Sequence, residues 1–478
     1  MEDKKYDIIV IGCGSGGLSI GLFMGMAGFK VLMISKTDHS IGGDCLNDGC
    51  VPSKAFIHIA KIAHQAKEAS NFGLELNGSI DIKKAINYVY QRQEIIREHE
   101  NAAWLREQGV DVALGEAHFT DRDEIEVDGK RFKGKKIVIA TGSQPRKLKL
   151  PGVEKVKYYD NESIFHLEEL PKKLLVIGGG PIGIEIAQAL SRLGSKVTIV
   201  QRGPVILKND DGAVTSILHD QLQQEGIEFY LNAKADHFSS ANEATIILKD
   251  SRKKNIQFDA VFVGIGRELS LEALQLQNAF VYLKEGEIVK NKYLQTTNKN
   301  IFVCGDVAGD LQFSHAAEFH ARILLNNFFS PFKKILNDDH MSWVTFTDPE
   351  VATFGLNEKQ LKERNIGYER LERSFDEDDR AVTDNYQYGK SVLFISSKGF
   401  LKKQKILGGT MVAPGAGELI QELILANTSM LSINAVFNKI YPYPTASRIN
   451  QQMIVQYKSK DLTGTIKSLL KPLYKLFS

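Results

Sequence analysis

A chain of 478 residues has the length of about three ordinary domains, and its 43% apolar content lets each bury a normal core. With 60 Lys and Arg against 58 Asp and Glu, the net charge of +2 argues against a nucleic-acid partner. The 4 cysteines, few for such a length, fit a reducing compartment.

The start, Met1-Glu2-Asp3-Lys4-Lys5, runs straight into an apolar strand, Tyr6 to Ile11, and leaves no room for a signal peptide. A cytoplasmic location is therefore expected. Next come Gly12-Cys13-Gly14-Ser15-Gly16-Gly17, a helix-like segment to Gly28 and a strand from Lys30 to Ile34. In such a strand-turn-helix the first glycine makes the tight turn. The second admits a pyrophosphate to the backbone, and the third lets helix pack on strand. The uncharged span Ile8 to Phe29 also has the composition of a membrane helix. Seven glycines spaced as a phosphate loop make the nucleotide fold the better reading.

The run Gly42-Gly43-Asp44-Cys45-Leu46-Asn47-Asp48-Gly49-Cys50-Val51-Pro52-Ser53-Lys54 follows, and it leads into an apolar-periodic segment (Ala55, Ile59, Ile62, Ala63, Ala66). A helix start favours thiolate over thiol, so Cys45 and Cys50 are candidates for a redox pair that opens and closes. Two unrelated buried cysteines, or two metal ligands, are the alternatives; only His58 and His64 follow, beyond Lys54. No resident metal is expected. A second loop, Gly178-Gly179-Gly180-Pro181-Ile182-Gly183, follows the strand Leu174 to Ile177 and precedes a helix, Ile184 to Leu193, and a strand, Lys196 to Val200. Two dinucleotide folds mean two dinucleotides. FAD passing electrons from a nicotinamide to a disulfide is the simplest chemistry that uses all three parts.

Further motifs are Ala140-Thr141-Gly142, Gly264-Ile265-Gly266-Arg267, Phe302-Val303-Cys304-Gly305-Asp306, Phe346-Thr347-Asp348-Pro349-Glu350-Val351 and Ile406-Leu407-Gly408-Gly409-Thr410. In this order the chain resembles the class I pyridine nucleotide–disulfide oxidoreductases over nearly its whole length. The cysteine run looks most like the mercuric reductase branch, with dihydrolipoamide dehydrogenases also similar. The resemblance implies an α/β fold of two Rossmann-like dinucleotide-binding domains, for FAD and NAD(P), and a C-terminal α+β dimerisation domain. The expected boundaries are 1–150 and 266–340 for the FAD domain and 151–265 for the NAD(P) domain. Residues 341–460 form the dimerisation domain, making a homodimer, and 461–478 a basic amphipathic tail.

By that resemblance Cys50 lies against the flavin as the charge-transfer thiolate and Cys45 attacks the substrate. Lys54 pairs with Glu185 near the flavin, since a buried lysine needs a carboxylate. FAD is expected on Gly12, Gly14, Gly17, Ser35, Gly43, Lys54, Ala140, Thr141, Gly142, Asp306 and His315, although His315 reads equally well as a packed histidine. NAD(P) is expected on Gly178, Gly180, Gly183, Gln201, Arg202, Lys208 and Gly266. Ser35 stands where relatives carry the acid that binds the adenosine ribose. Gln201 replaces the equivalent acid of the second fold, and Arg202 and Lys208 supply cations, which favours NADPH over NADH.

Where disulfide-reducing relatives carry a His-Pro-Thr motif and a glutamate, this chain reads Tyr443-Pro444-Thr445 and Arg448. Tyr443 is a poor base at neutral pH, which suits a metal ion or other small oxidant that needs no proton relay. The last residues, Lys475-Leu476-Phe477-Ser478, hold no second cysteine pair. A dihydrolipoamide dehydrogenase-like enzyme and a redox sensor with little turnover are the competing readings. The tail alternates leucines with lysines, as segments that touch membranes weakly do, and Pro472 is expected to interrupt it; packing on its own dimer is the alternative.

Overall fold

The computed structural model describes residues 4–75, 78–309, 311–399 and 403–477. Part of the N-terminal run Met1–Lys5 and the terminal Ser478 lie outside the described residues. The fold is mixed α/β and divides into two compact units. One holds residues 1–202 and 228–337, the other 203–227 and 338–478.

In the first unit, the strand Lys4–Ile11 lies between Val31–Ser35 and Lys130–Ile139, parallel to both. Asp111–Leu114 extends the sheet beyond Val31–Ser35, and Ile301–Val303 pairs in parallel with the end of Lys130–Ile139. The chain therefore returns to its first sheet after the second nucleotide segment. The central strands are buried on both faces, which is why Ile8, Ile9, Val10, Met33 and Val138 form an unbroken apolar run. Strand order reverses beside Lys4–Ile11, and ligands of such sheets bind outside the carboxyl ends at that point. The Gly12–Gly17 loop sits there.

A second parallel sheet in the same unit runs Glu228–Leu231, Lys196–Gln201, Lys173–Ile177, Ala260–Val263 and Tyr158–Tyr159. The helix Pro181–Leu193 starts three residues before the expected Ile184, because Pro181 occupies a first-turn position where its missing N–H costs nothing. The connection between Lys196–Gln201 and Glu228–Leu231 belongs to the other unit. Its helix Gly212–Gln224 is tied there through Asp210, which accepts from Trp343 Nε1 at 2.8 Å, and Asp211, which accepts from Arg370 Nη2 at 3.0 Å.

The second unit is built on an antiparallel sheet ordered Ser342–Thr345, Glu350–Gly355, Ile406–Ala413, Lys390–Ser396 and Tyr368–Ser374. The helices Ala416–Leu419 and Gln421–Thr428 follow the strand Ile406–Ala413, and the last core helix is Arg448–Ser459. Ile449, Met453, Ile454 and Tyr457 are its buried stripe. The tail departs from expectation. Gly464–Phe477 is one helix with Pro472 inside it, because the ring displaces a single backbone donor late in the segment.

Candidate active site

The two glycine loops present the same geometry. Gly12 has φ +105°, and a Cβ there would lie 2.3 Å from Ala140 O; on Gly17 it would lie 2.0 Å from Gly12 O. In the second loop Gly178 has φ +116° and would meet Gly264 O at 2.2 Å, and Gly183 would meet Gly178 O at 2.4 Å. First and third glycines are thus demanded by the turn and by helix–strand packing. The middle ones are not. A Cβ on Gly14 meets nothing closer than 3.7 Å and one on Gly180 nothing within 4 Å, and neither has a positive φ. Space free of protein at that position fits a pyrophosphate. The helices behind them, Ser15–Met26 and Pro181–Leu193, carry no side-chain N-cap and no acid in the first turn, so their N–H groups are available to an anion. The residues therefore fit two dinucleotides.

The cysteine segment docks on the first loop. Gly42 N–H donates to Cys13 O at 2.9 Å, and a Cβ on Gly43 would lie 2.7 Å from Gly14 Cα. Cys45 falls within a short helix, Gly43–Asn47, and Cys50 is the first residue of the helix Cys50–Glu68. Cys50 is exposed and Cys45 partly so. A hydrogen bond from Cys45, another with Ser314 Oγ at 3.4 Å and the charge of Lys54 lower the Cys50 thiol to about 6, although desolvation of the sulfur itself opposes this. Cys45 is driven the other way, first by its bond to Cys50, then by burial and by the nearby Glu100 carboxylate. The charge of the reduced pair therefore rests on Cys50. Cys13 and Cys304 are buried, with burial pushing Cys13 up to about 12 and Cys304 higher still, so both are inert.

Lys54 Nζ donates to Glu185 Oε2 at 2.9 Å, the carboxylate side chain being only 4% exposed. This joins the cysteine helix to the helix of the second loop, and Lys67 Nζ repeats the join on Arg192 O at 2.9 Å. Asp306 lies three residues beyond the strand Ile301–Val303, at the start of the short 3-10 turn Asp306–Ala308, and accepts from Ser143 Oγ at 2.6 Å. Arg267 Nε donates to the same Ser143 Oγ at 2.7 Å, and its Nη2 reaches Asp44 Oδ1 at 3.1 Å. Burial raises Asp306 despite these donors. Ala140, Thr141 and Gly142 follow Lys130–Ile139, with Gly142 at φ +69°. His315 stacks on Phe313, ring centroids 5.2 Å apart, in the first turn of Ser314–Phe329.

Ser35 is buried and shares a 2.9 Å hydrogen bond with Ser40 Oγ. Gln201 turns back, its Oε1 accepting from Gly179 N–H at 3.0 Å, and exposed Arg202 follows it. Gly266 has φ +104°. Lys208 and Tyr443 belong to the second unit, whereas the cysteines belong to the first. Tyr443 is 67% exposed and donates its hydroxyl to Asp379 Oδ2 at 3.1 Å, with the Arg448 guanidinium 5.3 Å above its ring. The Asp379 carboxylate raises the phenol above its ordinary range.

Sequence reasoning missed Ser314, Ser143 and Arg267 as site residues, and Asp379 as the partner of Tyr443. Arg267 closes the Gly264–Arg267 motif and Ser314 immediately precedes His315, so each lies beside a legible feature without a local pattern of its own.

Two phosphate loops, with a dithiol docked on the first, define a flavin-dependent dithiol reductase. The pyridine nucleotide-disulphide oxidoreductase family matches residues 6–321, and its dimerisation domain matches residues 341–454. The chain belongs to this family, whose members are NAD(P)H-dependent FAD enzymes with a redox-active disulfide. Among similar proteins, mercuric reductase of Staphylococcus aureus is 30% identical over 448 residues, covering 93% of this chain and 81% of that protein. Dihydrolipoyl dehydrogenase of Thermus scotoductus is 32% identical over 453 residues, covering 93% and 95%. The HOCl-induced flavoprotein disulfide reductase RclA of Escherichia coli superposes with a TM-score of 0.82 at 26% identity, covering 94% of this chain and 99% of that one. RclA is also solved as a Cu(II) complex.

Proposed function

We propose that the chain draws electrons from NADPH and delivers them, through the Cys45–Cys50 pair, to a small soft oxidant such as a metal ion. FAD held at the Gly12–Gly17 loop would supply two-electron transfer between the nicotinamide and the disulfide. The disulfide takes an electron pair and one proton. Cys45 holds the proton as a thiol and Cys50 remains a thiolate, stabilised by Cys45, Ser314 and Lys54. Thiolates are good ligands for soft metal ions. The mercuric reductase relatives and the Cu(II) complex of RclA support that acceptor class.

The observation that carries this reading is Tyr443. Its phenol keeps its proton in a hydrogen bond donated to Asp379, which holds it above its ordinary range, so at neutral pH it does not accept a proton from a thiol. Reducing a disulfide substrate ends in a thiol exchange that benefits from such a relay; reducing a coordinated metal ion does not. NADPH rather than NADH is supported by the neutral Gln201 amide at the strand end and the exposed Arg202 beside it. A homodimer through residues 341–460 is part of the same proposal, supported by the dimerisation-domain match.

Anaerobically reduced enzyme offered Hg(II), Cu(II), lipoamide, glutathione disulfide and a quinone tests the reading. Turnover of the metal ions is expected to exceed that of either disulfide by about a hundredfold or more, the usual worth of a general acid–base group. NADPH is expected to outperform NADH about tenfold or more in kcat/KM, as one charge-assisted contact to a phosphate allows. Disulfide turnover equal to that of the metals overturns the acceptor class, and parity of the nucleotides overturns the NADPH preference. The dihydrolipoyl dehydrogenase reading is favoured by one observation, that the match spans 95% of that relative. Efficient lipoamide turnover selects it. No turnover with any acceptor selects the redox sensor.

A further inference from the structure

The helix Gly464–Phe477 has no buried residue. Placed at about 3.6 residues per turn, Ile466, Leu469, Leu470, Leu473, Leu476 and Phe477 fall on one side and Lys467, Lys471 and Lys475 on the other. Pro472 does not divide this pattern, since the helix continues through it. No Asp or Glu occurs between Leu462 and Phe477. The apolar side is open: Leu469 is 61% and Phe477 84% exposed. Both family matches stop before this segment, at residues 321 and 454, so the core fold shared with relatives does not explain it.

An exposed apolar stripe on a helix whose charged side chains are all lysines is complementary to a surface that offers hydrocarbon below and negative charge above. The helix has 14 residues, about 21 Å, against a hydrocarbon core of about 30 Å. It is too short to span. We infer that Gly464–Phe477 lies in the plane of an anionic lipid bilayer, leucines and Phe477 inserted between acyl chains and the three lysines at the headgroups. The tail thereby holds a reductase at a membrane surface, reversibly and in a salt-dependent way.

Flotation of the FAD-loaded full chain with vesicles tests this, comparing pure phosphatidylcholine with mixtures containing phosphatidylglycerol. The full chain is expected to float with the anionic vesicles and to be released by high salt. Leu469→Asp with Leu473→Asp should reduce the bound fraction about tenfold or more, as burying charge in the acyl region requires. Lys467→Gln, Lys471→Gln and Lys475→Gln together should cost roughly a hundredfold in partitioning on anionic vesicles, about fivefold per lysine, and nothing on neutral ones. NADPH-dependent reduction of the bound FAD is read in every variant to show that the fold is kept. Failure of the full chain to float, or flotation indifferent to both variants, overturns the inference. Sedimentation supplies the other contradiction. If the Asp variant alters the assembly state while flotation does not respond, the stripe packs on a second copy of the chain instead of on lipid.

Discussion

Cys50→Ser is expected to abolish the long-wavelength absorbance that two-electron reduction produces, whereas Cys45→Ser keeps it. Both variants should lose acceptor turnover by about a thousandfold or more, since each removes one half of the dithiol. The asymmetry follows from where the negative charge rests. Cys50 begins a helix, accepts hydrogen bonds from Cys45 and Ser314, and faces Lys54, which together bring it to about 6. Cys45 is raised by the same hydrogen bond and by Glu100. The charged form of Cys50 therefore dominates above about pH 6, and the absorbance should fade as pH falls through that value. Ser314→Ala removes one donor to the thiolate and is expected to move the midpoint upward. Absorbance that survives Cys50→Ser and vanishes in Cys45→Ser reverses the roles.

Gly12→Ala should give a destabilised protein purified without FAD. At φ +105° an L side chain is strained by about 1–3 kcal/mol. Its Cβ would also stand 2.3 Å from Ala140 O, a backbone atom with little freedom to move, and such overpacking adds about 1–3 kcal/mol. A combined cost of about 2–6 kcal/mol is a large part of a typical net stability of about 5–15 kcal/mol. Relaxing the clash shifts the loop against which Gly42 and the cysteine segment are docked, so flavin and dithiol geometry should fail together. Gly14→Ala makes a sharp comparison. The chain has room for that methyl, 3.7 Å from its nearest neighbour, so the fold should persist while FAD affinity drops. Flavin content by absorbance and thermal unfolding of both variants separate the two effects; equal stability loss at both positions contradicts the assignment.

Much of this was legible in the sequence because the informative contacts are local. A glycine loop between strand and helix, or two cysteines before a helix, declares itself within a few residues. The docking of Gly43 on Gly14 joins two such local motifs, each legible by itself. What stayed hidden depends on tertiary pairing. Ser314 meets Cys50 across 264 positions, and Arg267 meets Ser143 across 124, with no local pattern to announce either contact. Gln201 stands where relatives carry an acid, and its amide also serves the Gly179 backbone, a use that only the folded loop reveals. Asp379 lies 64 residues from Tyr443 and turns a weak base into a committed donor. Pro472 does not interrupt the tail helix as its residue type alone suggests: a proline removes one donor and crowds one carbonyl, and the helix runs on through it.

On the proposed path, electrons run from the nicotinamide through the flavin to Cys45 and Cys50. Anaerobic NADPH titration of the FAD-loaded protein, followed by absorbance and by counting free thiols, tests it most directly. The first electron pair should leave the flavin oxidised, produce the long-wavelength absorbance and expose two new thiols. Only further reductant should bleach the flavin. Flavin bleached by the first pair, with no new thiols, rules that path out.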